Sequence, residues 1–222
     1  MLRHTMVTPM QTRIILSDNV RDAHLAAIRL VSKRGKYIST EDRELTLELP
    51  HPLLVHVERP LDEPRILDEV GIGRMMMQEY SKQMRTVTST TFSYTYGNRL
   101  LDYDGINQLQ HVIDKINQAD TTRRAVMHTW KVQQDISGEH VPCMQMIQFL
   151  CRDDKINCSV VFRSHDILMA WGANVYAIGD MMKVVADGTC SSVGSLDVFS
   201  ICPHIYAMRD QSTLHKITRM AE

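Results

Sequence analysis

The run "KINCSVVFRS", residues 155–164, repeats with a period of two. Ile156, Cys158, Val160 and Phe162 fall on one face, which needs a second layer to cover it. The preceding run "QMIQFLCR" (145–152) has the composition of an adjoining strand. "NVYAIGDMMKVVAD" (174–187) is apolar enough for a buried helix. Shorter elements surround this unit. "TRIIL" (12–16), "ELTLEL" (44–49), "LLVHV" (53–57), "FSYTYGNRL" (92–100), "RAVMHTWKV" (124–132) and a final "SVGSLDVFSI" (192–201) read as strands. Residues 18–35 form a helix capped at Asp18 and stopped at Gly35, and 63–84 are mostly helical with a break near Gly71 and Gly73. Residues 105–118 place Ile106, Leu109, Val112, Ile113 and Ile116 on one helical face. The expected class is α+β: a mixed or antiparallel sheet with helices packed on one face, in a single domain over residues 1–222.

A formal net charge of −1 gives no global attraction to nucleic acid or to an anionic membrane. No apolar run approaches the ~20 residues of a membrane span, and "MLRHTMVTPMQTR" lacks the apolar middle of a signal peptide. The expected location is the cytoplasm. The five cysteines are an odd number with no secretory context, so a disulfide framework is not expected.

Two motif echoes fail on their own chemistry. "GIGR" (71–74) lacks a third glycine and a preceding strand, so it makes no nucleotide loop. His56-Val57-Glu58 with Pro142-Cys143 suggests a zinc deaminase, but Met146 stands where the second cysteine ligand belongs, and no metal is expected. Cys143 in "EHVPCMQMIQF" is open to being a small buried hydrophobe or a nucleophile. Around it lie three polar clusters: "TTRR" (121–124), "FRSHD" (162–166) and "PHIY" (203–206). Each alone suits a solvated turn or a surface ion pair. Together they offer what a nucleoside monophosphate needs. Arginine forks and a serine hydroxyl suit a phosphate, and a His/Tyr pair on one strand face suits a sugar hydroxyl. Cations around a thiol also lower its pKa.

"YGNRL", "TRRAVMHTW", "VPCMQ", "FRSHDILMAWGAN" and "HIY" make the chain resemble the thymidylate synthases and their relatives, the pyrimidine nucleotide hydroxymethylases. The order agrees, as do the separations Arg124 to Cys143 (19), Cys143 to Arg163 (20) and Arg163 to Asn174 (11). The short length is similar to the archaeal type. The resemblance implies that Cys143 adds to C6 of the pyrimidine. It implies that Arg163 and Ser164 hold the 5′-phosphate and keep Cys143 ionised. Arg123 and Arg124 would reach the phosphate of a partner subunit, in a homodimer built on the sheet face. His204 and Tyr206 would hold the ribose, and Asp166 would orient folate and water. Tyr96 would assist proton removal from C5, and Asn174 would read the base. An amide there matches O4 and N3–H of uracil, which favours dUMP over dCMP. Glu79 is the candidate for the family's water-organising glutamate, and Arg34 or Arg43 for a further phosphate arginine.

The implied reaction is reductive methylation of dUMP by 5,10-methylene-tetrahydrofolate or a tetrahydromethanopterin-type analogue. The alternatives are hydroxymethylation of dUMP or dCMP, in which water adds to the methylene, and a non-catalytic nucleotide-binding relative. A cysteine hydrolase using His140 is a weaker reading. The chain departs from the family at Phe162, at Met144 and in "SICPH" (200–204). It also ends 16 residues after Tyr206, where longer members continue into a tail that covers the folate.

Overall fold

A computed structural model describes residues 13–89 and 93–219. The start of the chain through Thr12, including the first residue of the expected strand 12–16, lies outside them, as does Phe92. The chain folds as a mixed α+β structure with two sheets.

β1 (Ile14–Ser17) leads into α1 (Val20–Arg34). Asn19, not Asp18, is the cap: its side chain accepts from the Asp22 amide at 2.9 Å. Val20, Ala23, Ala27, Ile28 and Val31 form the buried stripe of α1, and Lys33 and Arg34 complement its C-terminal dipole. A hairpin of β2 (Lys36–Ser39) and β3 (Leu45–Glu48) precedes β4 (Leu53–Val57).

The expected long helix at 63–84 is shorter. Pro64 disfavours helical geometry before it, a 3-10 turn covers only Asp68–Val70, and Gly71 turns the chain with φ 85° before α2 (Arg74–Met84). The expected strand at 92–100 is instead a short helix, α3 (Tyr96–Leu101). Thr95 caps it by accepting from the Asn98 amide at 3.1 Å. Gly97 packs against α2 so closely that a Cβ would collide with the carbonyls of Gln83 and Thr86. Capping and close packing outweigh the alternation of aromatic side chains that suggested a strand.

α4 (Gln108–Gln118) buries Leu109, Val112 and Ile116 as expected, whereas Ile106 lies outside the helix and is exposed. β5 (Val126–His128) is far shorter than expected. The chain turns at Thr129 and enters α5 (Val132–Asp135), whose Asp135 accepts from the Lys131 amide at 2.7 Å.

β6 (Met144–Arg152) and β7 (Lys155–Phe162) form the expected hairpin, and α6 (Trp171–Gly188) follows the two-residue β8 (His165–Asp166). β9 (Ser192–Ser200) is not final: β10 (Pro203–Tyr206) and α7 (Gln211–Arg219) come after it. No helix among the described residues is long and apolar enough to cross a membrane.

The larger sheet has the order β1-β4-β9-β7-β6-β5, and the smaller β2-β3-β10-β8. Ile156, Cys158, Val160 and Phe162 all point into the core, each at most 1 % exposed. α1, α4 and α6 pack against that face of the large sheet. Full burial of such side chains contributes about 1.5–3 kcal/mol each. The opposite face leaves Ile14, Leu16 and Phe199 exposed.

A buried ion pair ties the second half together. Arg99 on α3 donates both guanidinium nitrogens to Asp135 on α5, at 2.9 and 2.7 Å, and one of them also reaches the Thr129 carbonyl at 3.0 Å. Burial pushes Asp135 up, yet the Arg99 and Lys131 contacts hold its carboxyl below the ordinary value. Removing one partner leaves a buried charge uncompensated. Asp135→Ala is expected to lower unfolding free energy by about 3–5 kcal/mol, measured by urea denaturation. Because the folded pKa is depressed, the pair's contribution is complete above the unfolded carboxyl value and is lost as pH falls through the folded one.

Candidate active site

Cys143 immediately precedes β6 and Arg163 immediately follows β7, so the hairpin closes their separation in sequence. The Arg163 amide donates to the Cys143 carbonyl at 2.8 Å. The guanidinium is clamped on the loop before the cysteine: Nε donates to the Pro142 carbonyl at 3.0 Å and Nη2 to the Val141 carbonyl at 2.9 Å. Held there, Nη2 lies 3.9 Å from Cys143 Sγ. The Met144 amide donates to the Tyr96 hydroxyl at 3.0 Å, and the Met144 carbonyl accepts from the Thr129 hydroxyl. Tyr96 therefore sits beside Cys143 because α3 is anchored through Arg99.

Burial pushes the Cys143 thiol above its ordinary value; Arg163 pulls it down and Asp166 adds to the rise. The expected lowering by surrounding cations is thus not met within one subunit. Burial also raises Tyr96 strongly, so it stays a neutral phenol.

A cavity of about 410 Å³ opens at Cys143, lined by Arg163, Ser164, His204 and Tyr206 among others. His204 and Tyr206 share one face of β10, with ring centroids 5.1 Å apart and an interplanar angle of 88°. Arg209 stacks on Tyr206 at 3.8 Å and pairs with Asp166 at 2.9 Å. Asp166 accepts from the Leu168 and Met169 amides at 3.1 and 3.0 Å, and burial pushes its carboxyl up against those bonds. Five carboxylates line the same cavity (Glu41, Asp42, Glu44, Glu48 and Glu139) against the guanidiniums of Arg163 and Arg209. Glu48 accepts from the Cys202 thiol at 3.5 Å; burial, then Glu48, push that thiol up to about 11.

A second cavity, about 230 Å³, is lined by Tyr80, Tyr94, Thr95 and Tyr96 with Gln83 and Met84. Asn174, in the first turn of α6, is buried; its Oδ1 accepts from the Tyr80 hydroxyl at 2.6 Å and its Nδ2 lies 3.2 Å from His165 Nε2.

The structure therefore gathers Cys143, Arg163, Ser164, His204 and Tyr206 around one cavity, and sets Tyr96 on the second cavity, Asp166 against Arg209 and Asn174 between Tyr80 and His165. It does not bring Glu79 there: on α2 the buried face is Met77, Ser81 and Met84, and Glu79 is exposed on the other side. Arg123 and Arg124 are exposed at the start of β5, outside both cavities. Neither Arg34 nor Arg43 lines either of these two cavities. His56 lies on the exposed sheet face between Asp197 at 2.8 Å and Glu58 at 3.2 Å. No cluster of three or more His, Cys, Asp or Glu among the described residues is arranged to hold a metal ion. Sequence reasoning gave no role to Tyr80, Arg209 and Glu48, which belong to no local motif, nor to His165, although it lies inside "FRSHD". The pairing of β10 with β3 and β8 was the only route to Glu48.

A family model described as "Thymidylate synthase" matches residues 66–222. A protein from Methanosarcina barkeri named "Putative thymidylate synthase" is 34 % identical over 196 residues, covering 87 % of this chain and 89 % of its own length. Proteins of the same name from Methanococcoides burtonii and Methanocaldococcus jannaschii are 32 % and 30 % identical, covering 93 % and 91 % of this chain and 95 % and 94 % of their own.

Arg163 supplies a nearby positive charge that opposes the rise of the Cys143 thiol. Arg163→Gln is expected to move the pH midpoint of Cys143 alkylation upward from that of the wild type, which itself lies above an ordinary thiol. Iodoacetamide labelling across pH, read by mass spectrometry on the Cys143 peptide, checks this; an unchanged midpoint refutes it.

Proposed function

The chain belongs to the thymidylate synthase family, whose members transfer a one-carbon unit, bind dUMP and use a folate-type co-substrate, and from that premise we propose that it methylates dUMP to dTMP as one catalytic domain. The observation that supports this best is the clamped Arg163 guanidinium 3.9 Å from Cys143 Sγ, at the mouth of a cavity that also presents Ser164, His204 and Tyr206. Those groups suit a phosphate, a sugar hydroxyl and a nucleophile in one reach.

In the proposed reaction the Cys143 thiolate forms a bond to C6, and the C5–C6 π electrons shift toward C4 and its oxygen. Arg163 stabilises the thiolate before attack and again when sulfur leaves. C5 then bonds to the incoming carbon and loses its proton, the bond from that carbon to its carrier nitrogen breaks, and the Cys143 sulfur leaves C6. Tyr96 is too strongly shifted upward to serve as an ionised base. As a neutral hydroxyl it orients the water that accepts that proton, its oxygen fixed by the Met144 amide. The tyrosine-lined cavity fits a flat pterin ring, and Asp166 offers a buried acceptor beside the nucleotide cavity. When bound, a methylene-tetrahydrofolate-type co-substrate supplies the carbon and the hydride. Whether tetrahydrofolate or a tetrahydromethanopterin-type analogue serves is read by supplying each. Glu79 can take the water-organising role only if α2 rotates on ligand binding.

The cavity's own charges argue for a homodimer. Five carboxylates face two guanidiniums, so one subunit alone attracts a phosphate dianion poorly. Arg123 and Arg124, exposed and outside the cavity of their own subunit, supply the missing charge to the partner's site. The uncovered sheet face with Ile14, Leu16 and Phe199 is the surface through which the subunits meet.

One observation favours a second reading. The polar cavity leaves Cys143 partly exposed, which admits water to the one-carbon adduct. The product would then be the 5-hydroxymethyl nucleotide, without oxidation of the folate. Dihydrofolate formation from dUMP and methylene-tetrahydrofolate is expected. Tritium release from C5 without dihydrofolate would establish the hydroxymethylase instead. A covalent complex with 5-fluoro-dUMP is expected in the wild type and absent in Cys143→Ser; no complex in either sinks the catalytic reading. Mixing inactive Arg124→Glu with inactive Cys143→Ala subunits is expected to restore part of the activity. No recovery after proven subunit exchange counts against the shared site.

A further inference from the structure

Asn174 is held at both ends of its amide, by Tyr80 on α2 and by His165 within "FRSHD". The Tyr80 hydroxyl donates to Oδ1 at 2.6 Å. On the other side Nδ2 donates to His165 Nε2 at 3.2 Å, and His165 Nδ1 lies 2.9 Å from the Ser200 hydroxyl. His165 is 2 % exposed and stacked on Phe162 at 3.8 Å, so its ring cannot swing away. Burial pushes His165 well below its ordinary value and Tyr80 above its own, so the imidazole stays neutral and the phenol protonated.

An asparagine amide has two hydrogens and two lone pairs. The relay uses one of each, which leaves one N–H and one lone pair for a base. Uracil presents an acceptor at C4 and a donor at N3, and cytosine presents the reverse. Rotating the amide by half a turn therefore exchanges its match from one base to the other.

The His165 end tolerates either orientation. In one, Nε2 accepts from Asn174 and Nδ1–H donates to Ser200. In the other, the tautomer reverses and the Ser200 hydroxyl donates. The Tyr80 end does not tolerate both. With the amide turned, Tyr80 oxygen would accept from Nδ2, and its own hydrogen would lose the Oδ1 acceptor that it now holds at 2.6 Å. Giving up that short bond disfavours the turned amide.

We infer that Tyr80 and His165 are positioning residues for the Asn174 amide, His165 holding its far end in place and Tyr80 selecting one of its two orientations, and that they thereby set the choice between uracil and cytosine. This rests on the reading of Asn174 as the residue that meets the base. It adds that the asparagine alone does not carry the discrimination: the side chain could serve either base, and the relay removes one option.

The test compares kcat/KM for dUMP and dCMP, read as tritium release from C5, which reports turnover whichever fate the one-carbon unit meets. Tyr80→Phe removes only the hydroxyl and is expected to lower the dUMP/dCMP ratio at least tenfold, about 1.4 kcal/mol. Ser200→Ala acts at the far end of the relay, where it strips the acceptor from His165 Nδ1–H. It is expected to lower the ratio at least threefold, and it keeps the test open if Tyr80→Phe does not fold, as judged by thermal melting. Asn174→Asp serves as the control on the underlying reading and should shift preference toward dCMP. A ratio within twofold of wild type in either folded relay variant, with Asn174→Asp shifted, overturns the lock while the base reading stands. A ratio unmoved by Asn174→Asp overturns both.

Discussion

The pairing of Arg99 with Asp135 is the constraint on which the site depends. Both side chains are buried, and their two short hydrogen bonds leave little freedom in α3 relative to α5. The same guanidinium takes the Thr129 carbonyl, and the Thr129 hydroxyl in turn binds the Met144 carbonyl. Tyr96, three residues before Arg99 on the same short helix, meets the Met144 amide. The residue after Cys143 is thus held from both of its backbone groups by elements that one ion pair aligns. A short helix such as α3 has little intrinsic stability. Its position comes from this pair, from the Thr95 cap and from the close approach of Gly97 to α2.

Much of the scaffold was legible where local and tertiary preferences agree. The period-two face of β7 and the run of β6 are joined through Asp153 and Asp154, both at positive φ, a turn that acidic side chains of this length tolerate. That hairpin brings Cys143 and Arg163 together, as the family resemblance implied. The buried stripes of α1, α4 and α6 were legible for the same reason. Where packing overrides local pattern, the sequence misled. The Tyr94-Thr95-Tyr96 alternation suggested a strand, yet Thr95 caps a helix. Glu79 lies close in sequence to the site, but burial of Met77, Ser81 and Met84 turns it to solvent. Tyr80 meets Asn174 only in three dimensions, across 94 residues, and although His165 shares "FRSHDILMAWGAN" with Asn174, nothing in that run shows that its imidazole turns to the amide.

The charge balance of the nucleotide cavity sharpens the view of Cys143. Cations beside a thiol suggest an ionised nucleophile, but here desolvation outweighs Arg163 and the thiol rises. Five carboxylates near Arg163 and Arg209 make the isolated subunit a poor host for a phosphate. The proposed arrival of Arg123 and Arg124 from a partner would correct both at once. Substrate affinity and nucleophile activation would then share a dependence on assembly, with little of either present in a lone subunit.

The smaller sheet places β10 between β3 and β8, so His204 and Tyr206 lie beside Glu48, Thr46 and Asp166. Synthesis delivers these walls at very different times. The Cys143–Arg163 hairpin is local and can close soon after it leaves the ribosome, whereas the ribose wall must wait for residues beyond 200 to join a strand that emerged near residue 45. A nascent chain interrupted before β10 would carry its reactive thiol without the surface that selects what the thiol meets. Nucleotide could therefore act as a ligand of late folding, favouring only chains that have completed the small sheet.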